Sequence, residues 1–148
     1  MPSLFNEADN RAIIDRIANL SENSQPLWGK MNVSQMLAHC QAPMRVVFGE
    51  AKSKRGLIGL LFGKIAKKKM VNHAPFSKNL PTDPNFIIKQ PVNFNEEKGK
   101  LIKLIERFHD HPDQITTSVH PFFGKMTTDE WDVLGWKHLD HHLRQFGV

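Results

Sequence analysis

Apolar residues recur at helical spacing in four separate stretches, and each stretch follows a residue able to cap a helix. No other feature constrains the fold as much. The first stretch runs from about Glu7 to Leu20, with Asn6 ahead of it, Asp9 three residues on, and Ile13, Ile17 and Leu20 on one face. The second runs from Val33 to Phe48, with Asn32 as N-cap, Gln35 at the capping-box position, and a stripe of Met36, Cys40, Met44 and Val47. Pro43 falls inside it; its ring removes the hydrogen bond to the His39 carbonyl and predicts a kink there. The third stretch, Phe94 to His109, follows Asn93 with Glu96 and stripes Leu101, Leu104, Ile105 and Phe108. The fourth, Thr128 to Phe146, opens with Thr127 and Glu130 in capping-box spacing and stops at Gly147. Alternation with period two is confined to a few residues around Phe86 to Ile88. The expectation is an all-α, four-helix bundle with no sheet.

The chain has 148 residues, the size of one domain, so residues 1–148 are read as a single unit. Its 40% hydrophobic and 24% charged composition is that of a globular protein and excludes a disordered tail or a fibrous repeat. About ten residues join the first two helices, whereas residues 50–92 form a long crossover between the second and third. Connections that long are rarely structureless. A short helix is expected from Leu57 to Met70, then an extended stretch with Pro75, Pro81, Pro84 and Pro91 along the bundle. Such a crossover lets the second and third helices run parallel.

The net charge of +5 is local: seven Lys or Arg and no acid lie between Lys52 and Lys69. The basic residues enclose Leu57, Ile58, Leu60, Leu61, Phe62 and Ile65, which leaves three readings: a lid, an interfacial membrane helix or a patch for an acidic partner. A lid would bury Leu60, Leu61 and Ile65 on the bundle mouth and leave the lysines in water; an interfacial membrane helix would leave the same residues exposed. The lid is the preferred reading. A nucleic-acid role is not expected, since only Phe62 could stack on a base. Met1 to Leu20 lacks the basic start and apolar run of a secretory signal, and no stretch reaches the length of a membrane span. With a single cysteine, Cys40, these features lead to the expectation of a reducing, cytoplasmic location.

Eight histidines are the compositional outlier, three of them in the last helix: His138, His141 and His142. An HxxxH pair places two imidazoles one turn apart on one face, which suits chelation of one ion. Chance alone supplies about 0.4 such pairs in a chain of this composition, so context decides. On the wheel, Trp136, Leu139, Leu143 and Phe146 form the core arc and Lys137, Asp140 and Arg144 the solvated arc. His138 and His142 lie beside the core, and His141 points to the rim. His39, in the apolar run Met36-Leu37-Ala38-His39-Cys40, is the one residue of the second helix able to add a third nitrogen, and Cys40 reads as packing. Histidines merely satisfied by hydrogen bonds are the competing account. His120 and Gln35 are secondary candidates for proton transfer or ligand orientation, though His120 could equally tie down the loop before the last helix. His73, His109 and His111 are expected in solvent.

Trp28-Gly29-Lys30-Met31, Gln35-Met36-Leu37-Ala38-His39-Cys40, His120-Pro121-Phe122-Phe123-Gly124 and the terminal string from Lys137 to Gly147, KHLDHHLRQFG, resemble the DinB-like (YfiT-type) superfamily. More narrowly, they resemble a domain-of-unknown-function branch of it ending in such a string. The resemblance covers nearly the whole chain. It implies an up-down-down-up bundle and a metal site of one histidine from the second helix and HxxxH from the last, here His39, His138 and His142. Some relatives of that kind are transferases using low-molecular-weight thiols, and one is a thiol-dependent isomerase.

Three neutral imidazoles leave a divalent ion (zinc, nickel or iron) with an open position, the pattern of a catalytic site. Together with the resemblance, this leads to the expectation of a metal-dependent hydrolase or a low-molecular-weight-thiol transferase acting on a small molecule. The alternative is a non-catalytic bundle that binds a small ligand or a membrane surface, and a homodimer stays open.

Overall fold

The computed structural model describes residues 2–51, 56–72, 74–116 and 119–148. Among them are five helices: α1 (Glu7–Ala18), α2 (Val33–Val47), α3 (Leu57–Met70), α4 (Phe94–Asp110) and α5 (Thr128–Gln145). Four begin where the capping pattern puts them. The Asn6 side chain accepts from the Asp9 N–H at 3.1 Å, and Asn93 from the Glu96 N–H at 3.0 Å. Asn32 with Gln35 and Thr127 with Glu130 close reciprocal capping boxes. Each such cap stabilises its helix by about 1 kcal/mol. The helix α3 has no side-chain cap and starts after Gly56. The helix α2 continues through Pro43.

Helices α1, α2, α4 and α5 enclose the core: α2 packs on α4 and α5, and α1 packs on the same two. Ile13, Ile17, Leu37, Cys40, Leu101, Ile105, Phe108, Trp131, Leu139 and Leu143 are almost fully buried there. Buried polar side chains join the layers. Asn10 on α1 donates to the Leu4 and Ile105 carbonyls, both at 2.8 Å, and Gln41 on α2 donates to the Glu97 carboxylate of α4 at 2.7 Å. Both groups would be costly to bury unpaired, so each fixes the register of two helices.

Three features differ from the sequence expectations. First, a short hairpin precedes α5: β1 (Val119–His120) pairs antiparallel with β2 (Gly124–Lys125). Two-residue strands are too short to show alternation. The turn is set instead by Gly124 at φ 77° and by His120, whose Nδ1 accepts from the Phe122 and Phe123 N–H groups at 3.0 and 3.2 Å. Conversely, the alternating residues near Phe86 lie at a 3₁₀ turn, Pro84–Phe86.

Second, α3 does not bury its leucines on the bundle. Leu60, Leu61 and Ile65 are 54%, 73% and 65% exposed. The helix rests on the hairpin through Gly59 and Gly63. A Cβ on Gly63 would collide with the Phe122 carbonyl oxygen, so backbone lies directly against backbone. Lys67 adds an ion pair to Glu130 at 2.8 Å. Lys52, Lys54 and Arg55 lie outside the described residues.

Third, Lys137 is not in the solvated arc. It is buried, and its Nζ donates to the Met70 and Asn72 carbonyls at 2.6 and 2.8 Å. These carbonyls sit at the C-terminal end of α3, where a helix leaves acceptors unpaired and favours positive charge. Burial lowers the Lys137 pKa.

Candidate metal centre

The crossover after α3 passes over the junction of α2 and α5, where the histidines meet. His39 comes from α2, and His138 and His142 from successive turns of α5. The ring centroids form a nearly equilateral triangle, 4.9 Å for His39–His138, 4.8 Å for His39–His142 and 4.7 Å for His138–His142, with planes 66° to 89° apart. Equal spacing and steep ring angles mean that three rings cluster together, rather than two rings stacking with a bystander. One ring nitrogen from each lies within 4.8 Å of the other two.

Hydrogen bonds decide which nitrogens face inward. His39 Nδ1 is 2.9 Å from the Phe86 carbonyl oxygen. A carbonyl only accepts, so Nδ1 holds the hydrogen and Nε2 presents a lone pair. His142 Nδ1 is 2.8 Å from Gln145 Oε1, and Gln145 Nε2 donates to the Trp28 carbonyl at 2.6 Å. That second bond orients the amide, so His142 Nδ1 also donates and its Nε2 is free of hydrogen. His39 Nε2 lies 2.9 Å from His138 Nε2. Two ring nitrogens so close need a hydrogen or a cation between them. Outer partners of this kind, on the nitrogen away from the ligand, are what fix imidazoles for a metal.

The support for Gln145 reaches to the start of the chain's second helix. Gly29 has φ 82°, and a Cβ there would stand 2.6 Å from Gln145 Nε2. The Leu27 N–H also donates to the Gln145 carbonyl at 2.7 Å. The loop before α2 thus closes over the end of α5, and a side chain at Gly29 would push the amide off His142.

Electrostatically, the cluster is a set of neutral bases. Burial lowers His39 and pushes His142 down to about 3, with the His39 charge a further cause. His138 is held well below its ordinary value, by burial first and then by His142 and His39. The three rings cannot charge together at such spacing, so they reach neutral pH in the protonation state that metal binding requires.

The other sequence candidates have different places. His141 stands outside the triangle, against the Trp28 and Phe76 rings. His120 is buried, stacked on Phe123 at 4.3 Å and near Trp131, with its Nδ1 occupied by the hairpin turn. Burial pushes it down to about 4. Gln35 lies one turn before His39 with its oxygen held by the Asn32 N–H at 3.1 Å. His109, expected in solvent, is half-buried and bonded to the Phe5 carbonyl at 2.8 Å. His111 is exposed, and His73 lies outside the described residues. Cys40 is buried beside Met36 Sδ, and burial pushes its thiol pKa up. Sequence reasoning missed Gln145, Gly29 and the Phe86 carbonyl as supports of the cluster. The first two stand inside the quoted motifs, but a backbone carbonyl has no sequence signal.

Among the described residues, no helix is long and apolar enough to cross a membrane. No curated protein and no solved structure matches the chain. One family matches residues 4–147, almost the full length, and its histidine-bearing segments and supporting loop all fall within that span. The chain belongs to that family, described as protein of unknown function (DUF1569).

Proposed function

We propose that His39, His138 and His142 hold one divalent metal ion, and that the chain is a metal-dependent enzyme acting on a small molecule within a DinB-like, up-down-down-up bundle. The observation that carries this reading is the convergence of the three rings, with Nδ1 of His39 and His142 each tied to an oxygen. When bound, a divalent ion supplies Lewis acidity that makes water or a thiol nucleophilic at neutral pH. Imidazole ligands suit zinc, nickel and iron.

Among the described residues, no thiol is placed to act as a nucleophile here. The chain's one thiol, Cys40, is buried with a raised pKa. In this reading the attacking group comes from outside, as water in a hydrolase or as a low-molecular-weight thiol in a transferase. A reducing, cytoplasmic setting suits both the thiol chemistry and the free Cys40. A non-catalytic metal-holding bundle is the second reading, favoured by the closeness of the crossover: the Phe86 carbonyl and Phe76 already lie against His39 and His141.

Metal content of the untagged protein, dialysed against each ion, tests the proposal. One ion per chain is expected, with a rise in unfolding free energy of about 2.7 kcal/mol at a hundredfold excess over Kd. His138→Ala and His142→Ala should lose both effects while remaining folded without metal. Wild-type protein that gains no stability from zinc, nickel or iron would sink the metal site. Turnover of thiol-conjugated or hydrolysable small molecules that follows metal loading separates enzyme from binding module.

A further inference from the structure

The outward face of α3 is the largest feature that the histidine site leaves unexplained. Leu57, Ile58, Leu60, Leu61, Phe62 and Ile65 are each between 54% and 78% exposed. Six large apolar residues gathered on one helix are far more than the isolated exposed apolar groups normal for a soluble surface. At 100° per residue, the inward direction is set by Gly59 and Gly63, and Leu57, Leu61 and Ile65 stand opposite. Lys68 shares this outward side, Lys64 and Lys69 flank it, and all three are exposed. Along the axis, the first two turns are apolar and the last turn is basic. Lys52, Lys54 and Arg55 precede the helix in the sequence and add to the local positive charge.

The helix is presented rather than hanging loose. Gly59 and Gly63 seat it on the hairpin, Lys67 is tied to Glu130, and Lys137 holds its last carbonyls. The polar contacts all lie on the inner side, which leaves the outer side without a protein partner among the described residues.

We propose that α3 is an interfacial helix that seats the protein on an anionic lipid surface. Its occupant must accept six apolar side chains and also carry negative charge, because no acidic residue lies between Lys52 and Lys69. A second copy of this chain fails the charge condition: pairing two such helices would bring two sets of like charges together on a protein already at +5. A bilayer meets both conditions, since an in-plane helix sinks its apolar face into the acyl boundary while lysines meet anionic headgroups. The exposure of Leu60, Leu61 and Ile65 is what turns the preference from lid to lipid.

Sedimentation with vesicles of phosphatidylcholine alone, or containing one third phosphatidylserine, tests this with the full chain. Binding is expected to the anionic vesicles and to weaken as salt rises past the physiological range, where charges are screened within about 8 Å. Replacing Lys64, Lys68 and Lys69 by Gln should weaken binding about a hundredfold, near a factor of five per charge. Lys67 is left in place because it holds α3 to Glu130. The Leu61→Glu/Phe62→Glu variant should bind neither vesicle while keeping the wild-type circular dichroism and melting temperature. No sedimentation with anionic vesicles at low salt would overturn the proposal. So would equal binding by all variants, or a wild-type dimer in light scattering that Leu61→Glu/Phe62→Glu converts to monomer.

Discussion

The junction of α2 and α5 and the outer face of α3 invert each other's chemistry. At the junction, basic side chains are buried among apolar ones, and two of the three rings are held by oxygen partners. On α3, apolar side chains stand in solvent, and the helix is held on its inner side by two glycines, two lysines and the packing of Ala66 and Met70. The first region is rigid because moving any member leaves a buried donor or acceptor unpaired. The second leaves its outer side chains in solvent, so changing them removes little burial among the described residues. Burying bases prepares a site for a cation; exposing apolar groups prepares a surface for a partner.

Acid should separate the two regions most strongly. His120 and His142 have folded pKa values pushed down to about 4 and about 3, below the ordinary 6.5. A buried neutral histidine costs nothing above pH 6.5. As pH falls below that value, the unfolded chain takes up protons that the folded chain refuses, so stability declines until the folded pKa is reached. His120 alone accounts for about 3 kcal/mol over that window. The apolar side chains on the outer face of α3 carry no ionisable group. Urea unfolding of metal-free protein at pH 7.5, 5.5 and 4.5 should show a steep fall, and a flat profile would contradict the burial of these rings.

The same substitution in both regions sharpens the contrast. Leu143 is 2% exposed beside His142, whereas Leu61 is 73% exposed. Leu143→Ala should destabilise by about 2–5 kcal/mol, and Leu61→Ala should stay within about 0.5 kcal/mol of wild type. Comparable losses in thermal or denaturant unfolding would mean that α3 is covered in solution.

A smaller effect is expected from the support of the histidines. Gln145→Met removes the acceptor for His142 Nδ1 and the donor to the Trp28 carbonyl at nearly constant volume. Divalent-metal affinity should fall about 10- to 100-fold, the usual consequence of losing such a partner. An unchanged affinity in titration calorimetry would show that His142 needs no orientation.

The four packed helices were legible because capping and periodicity are local. Asn6, Asn32, Asn93 and Thr127 each satisfy donors three residues away, and the stripes need only the helical repeat. The inward position of His138 and His142, and the outward turn of His141, follow from the same repeat. Lys137 broke the rule: its long stem brings the ammonium back to the end of α3, a contact between residues 67 or 65 positions apart.

What the sequence by itself determined is therefore a set of features carried by neighbours in the chain: helix starts, core stripes, the histidine pair of α5 and the basic, leucine-rich segment. Tertiary structure decided the rest. It brought His39 within 2.9 Å of His138, supplied a backbone oxygen from Phe86, and seated Gly29 against Gln145. It also chose which side of α3 faces the protein. A lid reading puts Leu60, Leu61 and Ile65 inward, whereas close backbone approach at Gly59 and Gly63 turns them outward. Such choices depend on shape and distance between segments remote in sequence, which residue spacing along one segment does not encode.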